Sequence, residues 1–464
     1  MSIFHVSTTS QLVSAVTNAK AGDSILLASG TYSSINFKHI NPAGNVLITS
    51  ADIQHPAVFT DLMLRYSSNL TISNVSLQAA GGAVIAPFQV SDSSNIGLDH
   101  LMVGGPVLGS AARVTGLTIR GSNGVSVTNS EFSNLRNGIG MLDNTHVTIT
   151  HNSFHDLVDD GVRGGGDSNI LVSNNLFRDF HPAVGDHPDG IQFWTTNTTT
   201  TAHDIAITGN VVIRGSGDMI QGIFLRDTFE TLPFANVTIS NNFVAGAMYN
   251  GITVDGVIGA NISNNVNIGF ADQRSWIRVQ HASNLVLSGN ASTFYLLPIE
   301  GVPAGNKLIS SATDGGASVL QSWLTANQLT ANLSPTASVT PLQTASFTKV
   351  AVSTTTAPTA LAENYAAANL ATASVGSSQT QISVTASRSA SIFLSSVTPT
   401  STITGSAVSG SLLIADPPST TTASKVQNLA SSLAAFAANH SHMIGDSLFA
   451  GTMSRPQMQL AVAR

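Results

Sequence analysis

The feature that most limits how this chain can fold is a short apolar strand that ends in asparagine and recurs along the sequence. The spacings are 23, 23, 35, 32, 23 and 25 residues between the asparagines Asn129, Asn152, Asn175, Asn210, Asn242, Asn265 and Asn290. A period near 23 is the length of one coil of a parallel β-helix, whose coils bury Val, Ile and Leu from alternate positions when they stack. We expect each asparagine both to adopt the left-handed turn conformation and to stack its amide on the neighbouring coils.

The composition agrees with an all-β fold and excludes several classes of function. Only 9% of the 464 residues are charged and 42% are hydrophobic, and the formal net charge is −7. The sequence has no stripe of basic residues, so we do not expect nucleic acid as a partner. The chain has no cysteine, which rules out disulfides, zinc–thiolate sites and cysteine nucleophiles.

The sequence also bears on where the protein acts. No window offers about 18 uninterrupted apolar residues, so we predict no membrane insertion. The first residues do not form a cleavable N-terminal signal. We expect a secreted or cell-surface bacterial protein, and the sequence leaves its oligomeric state open.

Two regions are predicted. We expect residues 1–310 to form a parallel β-helix solenoid, the catalytic or binding domain, with a capping helix over 9–19 that presents Leu12 and Val16 on one face. Residues 311–464 form a separate Ala/Ser/Thr-rich C-terminal region that serves as a cap, a docking module or an export segment. Within it, apolar spacing predicts short helices over 318–324 and 424–440.

The densest chemistry lies in residues 185–194, Gly-Asp-His-Pro-Asp-Gly-Ile-Gln-Phe-Trp. Part of this stretch recurs before and after it, and the copies align on Val162, Ile191, Ile223, Ile252 and Ile277. Strand alternation then predicts two outward-facing rows. The first row holds Arg163, Gln192, Phe224, Thr253 and Arg278. The second row holds Gly165, Trp194, Arg226, Asp255 and Gln280.

These rows predict a sugar-binding groove. Adjacent coils lie about 4.8 Å apart, so Trp194, Arg226 and Asp255 should be near neighbours. An exposed indole gives a pyranose ring a flat apolar face, and charged side chains bind its hydroxyls or carboxylate. Two coils longer by about ten residues, on either side of Asn210, would form one wall of the groove. The alternative is a surface ion pair beside a packed tryptophan.

A further column, two residues before the aliphatic position, contains Asp160, Asp189, Gln221 and Asn250. Stacked carboxylates repel, so a pKa should rise or a cation should intervene, which suits general acid–base chemistry or a calcium site. The alternative is an Asx turn that caps each strand.

Histidines and further acids lie close to this column in sequence. His187, beside acids, is a candidate proton shuttle, with His181 as a second candidate. The residues proposed for calcium are Asp186, Asp189 and Asp227.

From about residue 9 to 310, the chain resembles the right-handed parallel β-helix (pectate-lyase-like) superfamily of polysaccharide-active proteins. Epimerases of this superfamily carry Asp-Pro-His-acid, and here the order is Asp186-His187-Pro188-Asp189. Asp159-Asp160 looks like the acid pair of its polygalacturonase-like hydrolases, but the Gly-His-Gly of those enzymes has no match. The resemblance implies an extracellular enzyme that acts on an acidic polysaccharide.

The leading hypothesis is a lyase that cleaves a uronate-containing polysaccharide by β-elimination. Arg226 or Arg163 neutralises the uronate, and His187 or an arginine removes the proton. The other predicted site residues support them: Asp189 and Asp255 hold a cation or orient the arginines, Trp194 stacks on a sugar, and Gln192 and Arg278 bind substrate.

Three alternatives stay open. One is an inverting hydrolase that uses Asp160, Asp189 and Asp159. The second is a mannuronan-epimerase-like enzyme. The third is a non-catalytic surface or adhesion solenoid.

Overall fold

The computed structural model describes residues 1–80, 85–106, 113–298 and 301–327, together with five short strands between 370 and 414. It confirms the predicted fold class, because the chain is a parallel β-solenoid of about 11 turns with an N-terminal helix. Helix α1 (Thr9–Asn18) begins where the Thr8 hydroxyl accepts a hydrogen bond from the Gln11 N–H at 3.2 Å. Its apolar face, Leu12 and Val16, is buried in the solenoid core.

A full coil contains three strands, and every pairing between coils is parallel, so the solenoid has three faces. Face 1 carries the candidate site. It consists of β4 (Asn36–Lys38), β7 (Leu62–Arg65), β10 (Phe88–Ser91), β13 (Thr115–Arg120), β16 (Asn137–Leu142), β19 (Val162–Gly165), β22 (Asp189–Trp194), β25 (Gln221–Arg226), the first parts of β28 (Tyr249–Ser263) and β30 (Ser275–Ser288), and β32 (Tyr295–Leu296).

Face 2 follows face 1 in each coil. It consists of β1 (Ile3–Val6), β2 (Ser24–Leu27), β5 (Val46–Ser50), β8 (Ser68–Ser73), β11 (Ser94–Asp99), β14 (Asn123–Thr128), β17 (Thr145–Thr150), β20 (Ser168–Ser173), β23 (His203–Thr208), β26 (Phe234–Ser240) and the second parts of β28 and β30.

Face 3 is built from shorter strands. They are β3 (Thr31–Tyr32), β6 (Val58–Phe59), β9 (Ser76–Gln78), β12 (Met102–Gly104), β15 (Glu131–Ser133), β18 (Ser153–His155), β21 (Leu176–Arg178), β24 (Val211–Ile213), β27 (Phe243–Ala245), β29 (Val266–Ile268), β31 (Ala291–Ser292) and β33 (Lys307–Leu308).

The interior is filled by side chains that repeat from coil to coil. On face 3, the rings of Phe132, Phe154 and Phe177 stack with centroids 4.8 and 4.7 Å apart, which matches the spacing of the strands that carry them. Because equivalent positions lie directly above one another, an apolar residue at one coil packs against an apolar residue at the next. The core is therefore continuous along the axis.

The turn that follows face 2 is held by a ladder of buried asparagines. The side chain of Asn175 donates hydrogen bonds to Asn210 Oδ1 at 3.0 Å and to the carbonyl of Ile149 at 2.9 Å. The same bonding continues through the ladder residues Asn152, Asn175, Asn210, Asn242, Asn265 and Asn290.

The expectation that one asparagine both turns the chain and stacks its amide is wrong for this ladder. Positive φ falls on the residue before each ladder asparagine, namely His151, Asn174, Gly209, Asn241, Asn264 and Gly289. That residue reverses the chain, and the side chain of the next one then points into the interior. The two tasks therefore belong to successive residues.

Helix α2 (Ala317–Ala326) confirms the helix predicted over 318–324. Its buried residues include Trp323, whose ring lies 5.7 Å from that of Phe243 on β27. The helix covers the outer side of face 3, which explains why strands such as β24 are apolar at every position. The described helices include none that is long and apolar enough to cross a membrane.

The chain divides into two compact units. The first comprises Met1–Ala183 and His187–Thr344, and the second comprises Val184–Asp186 and Ala345–Arg464. In the second unit, the parallel strands are β34 (Leu370–Ala373), β35 (Gln381–Val384), β36 (Ser391–Leu394), β37 (Thr402–Gly405) and β38 (Leu412–Ile414). The boundary at residue 310 stays a prediction, and the helix predicted over 424–440 lies outside the described residues.

The asparagine ladder leads to a test of stability. Asn242 is fully buried; its Oδ1 accepts from Asn210, and its Nδ2 donates to Asn265 and to the Ile207 carbonyl. Asn242→Ala leaves these buried groups without partners, so we expect the free energy of unfolding in urea to fall by about 2 to 4 kcal/mol. Asn261→Ala, at an exposed position of face 2, should change it by less than about 0.5 kcal/mol. Equal effects would contradict a structural role for the ladder.

Candidate active site

The predicted register of face 1 is confirmed. Val162, Ile191, Ile223, Ile252 and Ile277 are paired across successive coils. The first row therefore runs through Arg163, Gln192, Phe224, Thr253 and Arg278, and the second through Gly165, Trp194, Arg226, Asp255 and Gln280. Both rows lie on the outer side of face 1.

The column of Asp160, Asp189, Gln221 and Asn250 is buried at the start of the face 1 strands. The backbone N–H of Asp189 donates to Asp160 Oδ1 at 3.0 Å, and the Asn250 amide donates to Gln221 Oε1. The column is thus a polar ladder. Asp160 and Asp189 are only 1% and 0% exposed, so a sugar outside the solenoid does not reach either carboxyl group.

His187 is the partly exposed group above this ladder. Its Nδ1 lies 3.2 Å from Asp189 Oδ2, which also accepts a hydrogen bond of 2.7 Å from the Gln192 amide. The Gln221 amide nitrogen lies 2.5 Å from the other ring nitrogen, Nε2, and 3.0 Å from Nδ1, and the Phe224 ring meets the imidazole edge-on at 5.4 Å. The imidazole is therefore held from several sides while 19% of its side chain stays exposed.

Burial and charge shift the pKa values of this group. Burial raises the pKa of Asp160 to about 6, although the charge of Arg163 opposes the rise. Burial also raises the pKa of Asp189. For His187, burial lowers the pKa, but the charge and hydrogen bond of Asp189 outweigh it and raise the pKa to about 9. The imidazole becomes a base only as the pH approaches that value.

Arg163 connects the buried acids to the outer surface. Its Nη1 lies 3.1 Å from Asp160 Oδ2, and its guanidinium lies 4.9 Å from the centre of the Trp194 ring. Trp194 therefore contacts an arginine of the other row, a pairing that sequence alignment within one row does not show. The cation–π contact holds the indole and the guanidinium together beside Gln192, which pairs with Arg163.

The second half of the rows contains a second charged group. Arg226 Nε lies 3.9 Å from Asp255 Oδ2, and His281 Nδ1 lies 2.7 Å from Asp255 Oδ1. Arg278 donates a hydrogen bond to Gln280 on its own strand. His281 is not among the residues predicted from the sequence, because it lies beyond the aligned motif; its φ is 45°.

The acids proposed for calcium do not form a ligand group. Asp227 Oδ1 accepts a hydrogen bond of 2.7 Å from the Thr195 hydroxyl, and Oδ2 accepts one of 2.9 Å from the Leu232 N–H. This carboxylate therefore stabilises the loop that follows β25. Across the described parts of the chain, no three His, Asp or Glu side chains are placed to hold a metal ion. Calcium binding by Asp186, Asp189 and Asp227 stays a prediction from the sequence.

Two other candidates lie in separate ion pairs. Asp159 accepts a hydrogen bond of 2.8 Å from Arg136. His181 lies 3.2 Å from Asp156, which also pairs with His155 on face 3. His187 thus contacts Asp189, whereas Asp159 pairs with Arg136 but lies close enough that, besides burial, its charge raises the pKa of Asp189.

Comparisons with known proteins agree with the fold. Residues 110–267 match the family described as right handed beta helix region. No curated protein matches the sequence.

Solved structures with some similarity include three proteins. The surface adhesin PfbA of Streptococcus pneumoniae is 14% identical, with 58% of this chain and 79% of that chain covered and a TM-score of 0.42. A double mutant of the periplasmic alginate epimerase AlgG is 12% identical, with 65% and 73% covered and a TM-score of 0.39. The Family 28 exopolygalacturonase of Yersinia enterocolitica is 11% identical, with 64% and 76% covered and a TM-score of 0.41.

At these identities and TM-scores, the three similarities say nothing about what this chain binds or does. The fold rests on the strand pairing and on the matched family. Together they show the predicted fold: the chain contains a parallel β-helix, and residues 110–267 of it match the right-handed β-helix family.

Proposed function

We propose that the protein is a lyase that cleaves an acidic polysaccharide by β-elimination. The observation that carries this proposal is the His187–Asp189 pair, in which a partly exposed imidazole is supported by a buried carboxylate next to outward-facing arginines. β-Elimination requires one base and one group that neutralises the uronate carboxylate. Face 1 offers both side by side.

In the proposed reaction, a uronate carboxylate binds Arg163 or Arg226, and this neutralisation makes the proton at carbon 5 more acidic. His187 removes that proton. The electron pair of the C5–H bond forms a double bond between carbons 4 and 5, and the C4–O bond to the next sugar breaks. The departing oxygen takes up the proton of the imidazolium, directly or through a water molecule, which returns His187 to its neutral form.

The buried groups position the base in this scheme. Asp189 accepts from His187 Nδ1 and Gln192, so it fixes the ring and stabilises the imidazolium that forms. Asp160 forms an ion pair with Arg163 on the coil that precedes β22. Trp194, in contact with Arg163, offers a flat apolar face on which a sugar ring can stack.

The burial of both carboxyl groups favours a lyase over an inverting hydrolase. A hydrolase acid must touch the glycosidic oxygen, and its base must touch a water molecule. Asp160 and Asp189 lie beneath the surface instead. An epimerase would begin with the same proton removal, so it is distinguished by its product.

The first prediction concerns His187. Incubation with uronate-containing polysaccharides should produce the ultraviolet absorbance of an unsaturated uronate, and His187→Ala should reduce the initial rate about a hundredfold or more. The matched control is His203→Ala, because His203 is an exposed histidine that pairs with Asp204 on face 2; it should keep the wild-type rate.

Each of the other possible outcomes would indicate a different base or a different function. An undiminished rate in His187→Ala would mean that another group is the base. New reducing ends without absorbance would indicate the hydrolase, and inverted uronates without cleavage the epimerase. Binding without any reaction would indicate an adhesion solenoid.

A second prediction concerns pH. Because the base must be unprotonated and the pKa of His187 is raised to about 9, kcat/KM should increase with pH up to about that value. Asp189→Asn removes the charge that raises the pKa, so the inflection should move towards lower pH. Asp272→Asn, which alters an exposed acid paired with Arg214, should leave the inflection in place. A profile with no inflection above neutral pH would contradict His187 as the base.

A third prediction concerns the metal. Calcium stays a prediction from the sequence, and the proposed reaction does not depend on it, since arginine neutralises the carboxylate. Treatment with a calcium chelator should leave the initial rate unchanged, whereas added salt should weaken substrate binding by screening the arginines. Loss of the rate on chelation, with recovery on addition of Ca²⁺, would overturn this part of the proposal.

A further inference from the structure

The outer side of face 1 carries one arginine at every second coil. From β7 to β30, the arginines in the two rows are Arg65, Arg120, Arg163, Arg226 and Arg278. Arg163 and Arg278 are in the first row, and the other three extend the second row. All five are at least partly exposed. Arg65 and Arg120 precede the aligned motifs, so the alignment of the sequence copies does not include them.

The intervening coils have no positive charge in either row. Their paired positions are Gln89 and Ser91, Gly140 and Leu142, Gln192 and Trp194, and Thr253 and Asp255. From β7 to β30, the charge of the rows therefore alternates along the axis between positive coils and coils that are neutral or, at Asp255, negative. Before this stretch, Lys38 on β4 pairs with Arg65, so two successive coils are positive there.

This alternation fixes the distance between successive arginines along the axis. Adjacent coils are about 4.8 Å apart, so the arginines recur about every 9.6 Å and span about 38 Å in total. One pyranose unit of an extended chain advances by a distance close to that of one coil. A linear polysaccharide that runs along the solenoid axis therefore meets an arginine at every second sugar.

We propose that face 1 binds, along the solenoid axis, an acidic polysaccharide in which only every second sugar carries a carboxylate. This inference rests on the acidic substrate of the proposed function but not on the elimination chemistry. The neutral sugars lie over the intervening coils, where Trp194 offers a stacking surface. A polymer charged at every sugar would place a carboxylate next to Asp255, which disfavours it.

Contacts with neighbouring side chains hold several of the arginines in place before any ligand binds. Arg65 donates to Gln89 Oε1 at 3.3 Å on the next coil, and Arg226 lies beside Asp255 on the next coil. Such contacts reduce the side-chain freedom that is lost on binding. Arg65 and Arg226 are thus held in place as cationic positions.

The test is calorimetric titration with two oligosaccharides of equal length. In unsulfated chondroitin oligosaccharides every second sugar is a uronate, whereas in oligogalacturonate every sugar is one. Titrations in the His187→Ala background avoid cleavage. We expect the alternating ligand to bind at least about tenfold more tightly, although it carries fewer charges. Asp255→Asn should strengthen oligogalacturonate binding and so reduce the difference in affinity between the two ligands.

Variants of the arginines make the test specific. Arg120→Gln and Arg278→Gln should each weaken binding of the alternating ligand about tenfold, since each removes a charge-assisted contact. Lys307→Gln removes the same charge from an exposed position of face 3 and should have no effect. Equal or tighter binding of oligogalacturonate would overturn the inference, as would unchanged affinity in Arg120→Gln.

The outcomes separate this inference from the proposed function. A preference for the alternating ligand without any unsaturated product supports the inference and contradicts the lyase. Unsaturated product without that preference supports the lyase and overturns the inference. If neither oligosaccharide binds, both the inference and the acidic substrate are wrong.

Discussion

Hydrogen bonding between successive coils is the interaction on which the rest of this structure depends. Every strand of the three faces pairs in parallel with its equivalent one coil away, so a position once set is repeated at a fixed spacing along the axis. The same spacing stacks the phenylalanines, joins the asparagine amides and sets the interval between arginines on face 1. Core, turn and candidate binding surface are thus consequences of a single repeat.

That repeat also explains where the unusual chemistry lies. At most coils, the buried polar positions are filled by neutral amides that satisfy each other, as in the ladder through Asn242. In the column that begins the face 1 strands, two of the positions are Asp160 and Asp189. Two carboxyl groups in a column suited to neutral amides have raised pKa values, and they are compensated by Arg163 and His187 at the surface.

Much of the site geometry follows from the sequence because strands repeat. Aligning the copies on Ile191 and its equivalents predicts the two rows, and the column of Asp160 and Asp189 is predicted in the same way. The alignment does not predict that these carboxyl groups are buried, nor that Gln221 and Phe224 contact His187. Those facts depend on the path of the ten residues between β21 and β22, a loop whose conformation no repeat constrains.

The sequence by itself determined the solenoid, its period and the order of side chains along each row, because each of these is a local pattern repeated in register. Only the tertiary structure decided which nearby groups meet: Trp194 with Arg163, Asp227 with Thr195, and His187 with Asp189. It also separated the turn-forming residue from the stacking asparagine. These contacts cross between rows or follow from loop paths, and side-chain reach and burial select them rather than spacing along the chain.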